Sequence, residues 1–126
     1  MARNNKWLIL GAIGAALAVS TGAFGAHLLD GVVSDITYVT FTKAVRYQMY
    51  HSIALIIVSI LLTQRTLKAL NVSGWCFLVG IIAFSGSLYL IVFTGIQELG
   101  WITPFGGIAF VIGWVCLVYA GLQKKE

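Results

Sequence analysis

Apolar residues in this chain fall into four long runs uninterrupted by Asp, Glu, Lys or Arg: Trp7 to Leu29, Tyr47 to Thr63, Ala69 to Gln97 and Leu99 to Gln123. Crossing the roughly 30 Å hydrocarbon core of a bilayer takes about 20 apolar residues in helical form. The pattern therefore predicts an all-α fold, an integral membrane bundle of four transmembrane helices at about 7–29, 44–64, 73–97 and 103–122. The helices leave no stretch long enough for a soluble domain, so residues 1–126 are read as a single transmembrane domain.

Local punctuation supports these elements. Helix one enters at Trp7, an interfacial aromatic, and stops near Asp30-Gly31. Helix two ends before Gln64-Arg65. Helix three starts near Ser73, read as an N-cap, and ends near Gln97-Glu98-Leu99-Gly100. Helix four starts with Thr103 as cap and Pro104 at the first helical position, where the missing N–H costs nothing. The connection from Asp30 to Arg46 also has helical character. Ser34 can cap it, and Ile36, Val39, Thr40, Lys43 and Tyr47 recur at helical spacing. It is either a short amphipathic segment lying on the outer surface or the early start of helix two, and both let Lys43 and Arg46 snorkel to headgroups.

Charge orients the bundle. With four crossings, Arg3, Lys6, Arg65, Lys68, Lys124 and Lys125 share one side, whereas Lys43 and Arg46 fall on the other with Asp30, Asp35 and Glu98. Basic residues stay cytoplasmic, so both termini are expected inside and the Asp30–Arg46 connection outside. The uncharged first run is longer than the roughly 7–15 residue apolar core of a secretory signal, so it is read as a retained helix.

Composition agrees with a membrane location. Hydrophobic residues make up 60% of the chain and mean hydropathy is +0.95, against about 45–50% apolar in soluble domains. The net charge of +4 lies beside the spans, where it meets lipid headgroups, and no basic stripe with interleaved aromatics points to nucleic acid. Cys76 and Cys116 lie inside apolar runs and read as small packing residues rather than a disulfide framework.

Lipid tails are as apolar as leucine, so helices in a bilayer associate by close packing. Small residues supply the seams: Gly14, Ala18, Gly22 and Ala26 on helix one, Gly80, Ala83, Ser87 and Thr94 on helix three, and Gly106, Ala109, Gly113, Cys116 and Ala120 on helix four.

Polar groups within spans are functional candidates by default. Here they are His27, Gln48, His51, Ser85, Ser87, Tyr89 and Gln97, all from mid-membrane outward under the expected topology. Ser85, Tyr89 and Gln97 fit one ladder of four-residue steps, as do Lys43, Tyr47 and His51. These groups can bond one another across helices to fix register, handle protons through the histidines, or open a pocket for a lipid or quinone headgroup. Haem between His27 and His51 is a further option, since two histidines can supply axial ligands. Catalytic motifs are absent: Ser85-Gly86-Ser87 lacks the setting of a nucleophile elbow, and no His/Cys/Asp/Glu cluster has metal-ligand spacing.

Several of these segments also carry a resemblance. Gly22-Ala23-Phe24-Gly25-Ala26-His27, Tyr47-Gln48-Met49-Tyr50-His51, Phe84-Ser85-Gly86-Ser87-Leu88-Tyr89 and Thr103-Pro104-Phe105-Gly106-Gly107, followed by Gly113-Trp114, stand in order along the chain. The chain resembles the YgdD/YwdK family of small inner-membrane proteins (domain of unknown function 423). The resemblance implies a bacterial multi-pass membrane protein and carries no activity, substrate or site residues.

The expected function is therefore non-enzymatic: a multi-pass protein of the cell inner (plasma) membrane, binding a lipid-like molecule or a partner in an outward-facing polar site. Membrane lipids are the expected partners, with a homo-oligomer or another membrane protein beside them. The alternative is a small transporter or proton- or ion-conducting element using His27 and His51.

Overall fold

A computed structural model describes residues 5–124, so Arg3 and Lys125 lie outside the described residues. The chain forms α1 (Lys6–Leu28), α2 (Asp35–Gln64), α3 (Lys68–Gly80), a π-helical turn (Ile81–Ser85), α4 (Gly86–Thr94), a three-ten helix (Gln97–Trp101) and α5 (Thr103–Leu122). α3, the π turn and α4 run on as one span, Lys68–Thr94, and among the described residues four helical spans are long and apolar enough to cross a membrane.

The helix ends follow local chemistry. α2 begins at Asp35 rather than near residue 44, because the Ser34 hydroxyl accepts the Thr37 N–H and no breaker intervenes before Gln64. The amphipathic segment is thus continuous with α2. The third span begins at Lys68 rather than at Ser73, which is fully buried inside α3 and donates instead to the Gly113 carbonyl of α5 at 2.9 Å. It ends at Thr94, where Gly95 takes φ 74° and its N–H closes on the Ile91 carbonyl. Gln97 therefore leaves the expected ladder and stands exposed in the three-ten helix. α5 starts at Thr103 with Ile102 in the cap position, and the Thr103 hydroxyl bonds the Ser87 hydroxyl rather than its own helix end.

Packing is set by glycines that accept aromatic rings. A Cβ at Gly25 would strike the Phe41 ring, and one at Gly22 would crowd Val45. At Gly14 it would meet Ser52, and at Gly11 Ser52 and Ile56, so α1 lies antiparallel on α2. Between the third span and α5 the same device recurs as Gly80 with Phe110, Gly113 with Phe77, and Gly106 with the backbone of Phe84. Phe77, Phe110, Trp7, Ala54, Leu55 and Val58 form the buried core.

The crossings bring both described termini to one end. Trp7 is wholly buried in a notch over Gly74 and donates its indole N–H to Asn71 at 3.1 Å. Trp75 meets its ring edge-on at 5.1 Å, and the Lys6 ammonium lies 4.8 Å from one ring and 4.9 Å from the other. The Arg65 guanidinium donates to the Ala120 and Gln123 carbonyls, both at 2.9 Å, closing the end of α5 against its helix dipole. Lys6, Arg65, Lys68 and Lys124 thus gather at the terminal end, and Lys43 and Arg46 lie toward the far end.

Candidate functional site

The 30 residues of α2 extend about 45 Å at 1.5 Å per residue, about 15 Å more than the hydrocarbon core. All its charges, Asp35, Lys43 and Arg46, precede Tyr47. The charge-free part from Tyr47 to Gln64 covers about 27 Å. Gln48 and His51 therefore enter the apolar layer from the far-end side, and both are buried, at 7% and 4% exposure.

Around Gln48 the groups satisfy one another. Its amide nitrogen donates to the Gly14 carbonyl of α1 at 2.8 Å, and its oxygen accepts the Tyr89 hydroxyl of α4 at 2.7 Å. One side chain of α2 thereby ties α1 to the third span. The approach is close because residue 14 has no side chain. Ser85, at the end of the π turn, donates to the Ala44 carbonyl of α2 at 2.7 Å. Ser87 donates to the Phe84 carbonyl at 2.9 Å and also bonds Thr103, joining the third span to α5.

His51 makes a second cluster. Its Nδ1 lies 2.8 Å from the Tyr47 carbonyl, and its Nε2 lies 3.1 Å from the Trp114 indole nitrogen. An indole N–H can only donate and a carbonyl only accept. The ring is therefore the neutral tautomer with its proton on Nδ1, and both nitrogens are engaged. Phe110 stacks on the imidazole with centroids 3.5 Å apart and planes within 8°.

The remaining candidates stand apart. His27 is exposed near the far end of α1. With Gly14 against Ser52, His51 is level with about residue 15 of α1, which puts the two histidines about 18 Å apart along the bundle. They cannot flank one haem iron. Lys43 and Arg46 are exposed on a different face of α2 from Gln48. Among the described residues no three His, Cys, Asp or Glu side chains converge as a metal ion requires.

Some features were not legible beforehand. The Trp114–His51 bond, the Ser73 contact with α5 and the Gly14 carbonyl as an acceptor all depend on register between helices. Ser52 Oγ is buried beside Gly14 without a hydrogen-bond partner among the described residues. The clearest missed feature is a groove of about 390 Å³ between α1 and the third span, floored by α2. Leu10, Ile13 and Leu17 form one wall, Leu78, Ile81 and Ile82 the other, and Gln48, Ser85, Gly86 and Tyr89 its far-end part. The lining is almost wholly apolar, because the polar side chains spend their hydrogen bonds on one another and on backbone. Ile13, Leu17 and Ile82 at the rim are more than half exposed, so the groove opens sideways, toward lipid. A π turn, here Ile81–Ser85, is a helix irregularity frequent at functional sites.

Comparison with known proteins places the chain in a family. Residues 21–107 match the model of a protein family of unknown function, DUF423. The chain is 49% identical over 114 residues to a UPF0382 membrane protein of Staphylococcus aureus, covering 90% of this chain and 93% of that one. A UPF0382 membrane protein of Staphylococcus epidermidis is 47% identical over 117 residues, with 93% and 95% covered. The UPF0382 membrane protein YwdK of Bacillus subtilis is 43% identical over 118 residues, with 93% and 96% covered. No solved structure matches the chain.

Proposed function

This chain belongs to the DUF423 family of membrane proteins, and we propose that it is a non-enzymatic member that holds the hydrocarbon chain of a lipid-like molecule in the groove between α1 and the third span. The observation that carries the reading is the groove itself. It is an apolar cleft within the roughly 300–1,000 Å³ range of small-molecule sites, open to the side and floored by α2. Its walls offer an alkyl or isoprenoid chain dispersion contacts on three sides. Gln48, Ser85 and Tyr89 shape its far-end part and hold the three helices apart at fixed spacing.

Geometry also favours this reading over conduction through the histidines. Protonating Nε2 of His51 would set two donors face to face with Trp114, and His27 is too distant to relay to it. We place the terminal end in the cytoplasm, because Lys6, Arg65, Lys68 and Lys124 gather there. A cysteine introduced at Lys68 should resist impermeant thiol reagents in intact cells.

Gly86 offers a direct test. It lines the groove, and a Cβ built on it meets nothing within 4 Å. Gly86→Leu should fill the groove without disturbing the bundle. A phospholipid carrying a photoreactive diazirine in its acyl chain should label Ile13 and Leu17 in the parent protein and lose that labelling in Gly86→Leu. Equal labelling of both proteins, with thermal stability unchanged, would refute the reading.

A further inference from the structure

We infer that Lys43 and Arg46 form a site for the phosphate of an anionic glycerophospholipid, on a face of α2 separate from the groove. α2 is the central helix of the bundle. α1 packs on one side of it and the third span on another, and α5 packs chiefly on the third span. One stripe of α2 stays uncovered: Lys43, Arg46, Tyr50, Ile53, Ile57 and Ile60 are all exposed. Phe41, Ala44, Gln48, His51, Ser52 and Leu55 face inward instead.

Depth distinguishes these cations from ordinary charges at a helix tip. Ser85 bonds the Ala44 carbonyl and Ser87 bonds Thr103, so Lys43 is level with the first turn of α5. α4 continues to Thr94 and α1 to Leu28 beyond that level. Lys43 and Arg46 therefore stand on the flank of the bundle, where a lipid headgroup meets its acyl chains, rather than at the extremity. Cα–Cβ bonds tilt toward a helix N-terminus, which for α2 is the far end, so Lys43, Arg46 and Tyr50 all lean toward the headgroup layer. Lys43 and Arg46 are three residues apart on one helix face and able to share one ligand. No ion pair with a carboxylate neutralises either of them among the described residues, and a guanidinium matches phosphate oxygens in a two-point fork. The apolar stripe Ile53, Ile57 and Ile60 continues in line below, where an acyl chain lies.

The site commits to a lipid, not to free phosphate, because the charge pair and the apolar stripe are continuous. Native mass spectrometry of the protein in neutral detergent tests it, with phosphatidylglycerol and phosphatidylcholine as the two probes. Each basic residue beside an anionic headgroup strengthens attraction about fivefold, so the Lys43→Gln/Arg46→Gln double variant should bind phosphatidylglycerol roughly 25-fold more weakly. Phosphatidylcholine, whose choline cation offsets the charge of the same phosphate, should lose clearly less affinity than phosphatidylglycerol, and neither affinity should change in Lys68→Gln, whose exposed charge lies at the terminal end. Excess inorganic phosphate should not displace the lipid. Thermal stability of the double variant in phosphatidylcholine should match the parent. Undiminished phosphatidylglycerol binding in the double variant, an equal loss in Lys68→Gln, or displacement by inorganic phosphate would each overturn the site. So would a parent protein that is dimeric through the Ile53–Ile60 stripe, since a second copy would then occupy the face.

Discussion

Substituting Gly106 by alanine tests the glycine–aromatic packing that sets the distance between α5 and the third span. A Cβ on Gly106 would lie 2.8 Å from both Cα and Cβ of Phe84, and closer still to the Phe84 backbone nitrogen. Ordinary contact starts near 3.4 Å. The obstacle is main chain within the π turn, which cannot swing aside as a flexible side chain would. α5 must therefore move away by more than half an ångström, loosening the Ser87–Thr103 bond and the Phe110 ring seated on Gly80. Overpacking of this kind costs about 1–3 kcal/mol. Alanine in place of glycine within a helix returns about 0.5–1 kcal/mol. Gly106→Ala should therefore fall about 1–3 kcal/mol below a glycine-to-alanine change made in open space in the same helix. Gly121→Ala is the control, since it is also in α5 and meets nothing within 4 Å; it should gain the helix preference alone. Reversible unfolding by SDS titration in mixed micelles, followed by circular dichroism, measures both. If Gly106→Ala proves as stable as Gly121→Ala, the close approach of α5 to Phe84 is wrong.

Two further substitutions probe the polar clusters by the same assay. Trp114→Phe keeps an aromatic ring but leaves Nε2 of His51 without a donor, and should cost about 1–3 kcal/mol; no loss would mean that the bond is not made in the membrane. Gln48→Leu and Tyr89→Phe share one hydrogen bond at 2.7 Å. A double-mutant cycle should give a coupling of about 0.6 kcal/mol, and no more than about 1.7, whereas strictly additive losses would separate the two residues.

How much was legible varies by residue. The Ser34 cap and the stop near Asp30-Gly31 could be read directly, because a hydroxyl before a helix and a glycine after one act within a few residues. Ser73 misled, because a serine at the edge of an apolar run looks like a cap whether it meets its own helix end or a neighbouring helix. Gln97 misled because a four-residue ladder assumes an unbroken α-helix. The left-handed Gly95 ends the helix before that ladder reaches Gln97. Of the polar candidates, Gln48, Ser85 and Tyr89 do converge, joined by Gly14. His51 pairs with Trp114, which polarity alone did not select. His27 and His51 share an element type and little else.

The sequence by itself determined that four spans exist, where charge is excluded, and that small residues are spaced for close helix contacts. Those are consequences of solvent: hydrocarbon penalises charge residue by residue, so the record is written locally along the chain. Tertiary structure alone decided which polar groups meet, which face of α2 stays bare, and that a groove opens between α1 and the third span. Each depends on the relative register and rotation of two helices, and a shift of one residue turns a side chain by about 100°. Composition cannot encode that choice, because it is made between segments and not within them.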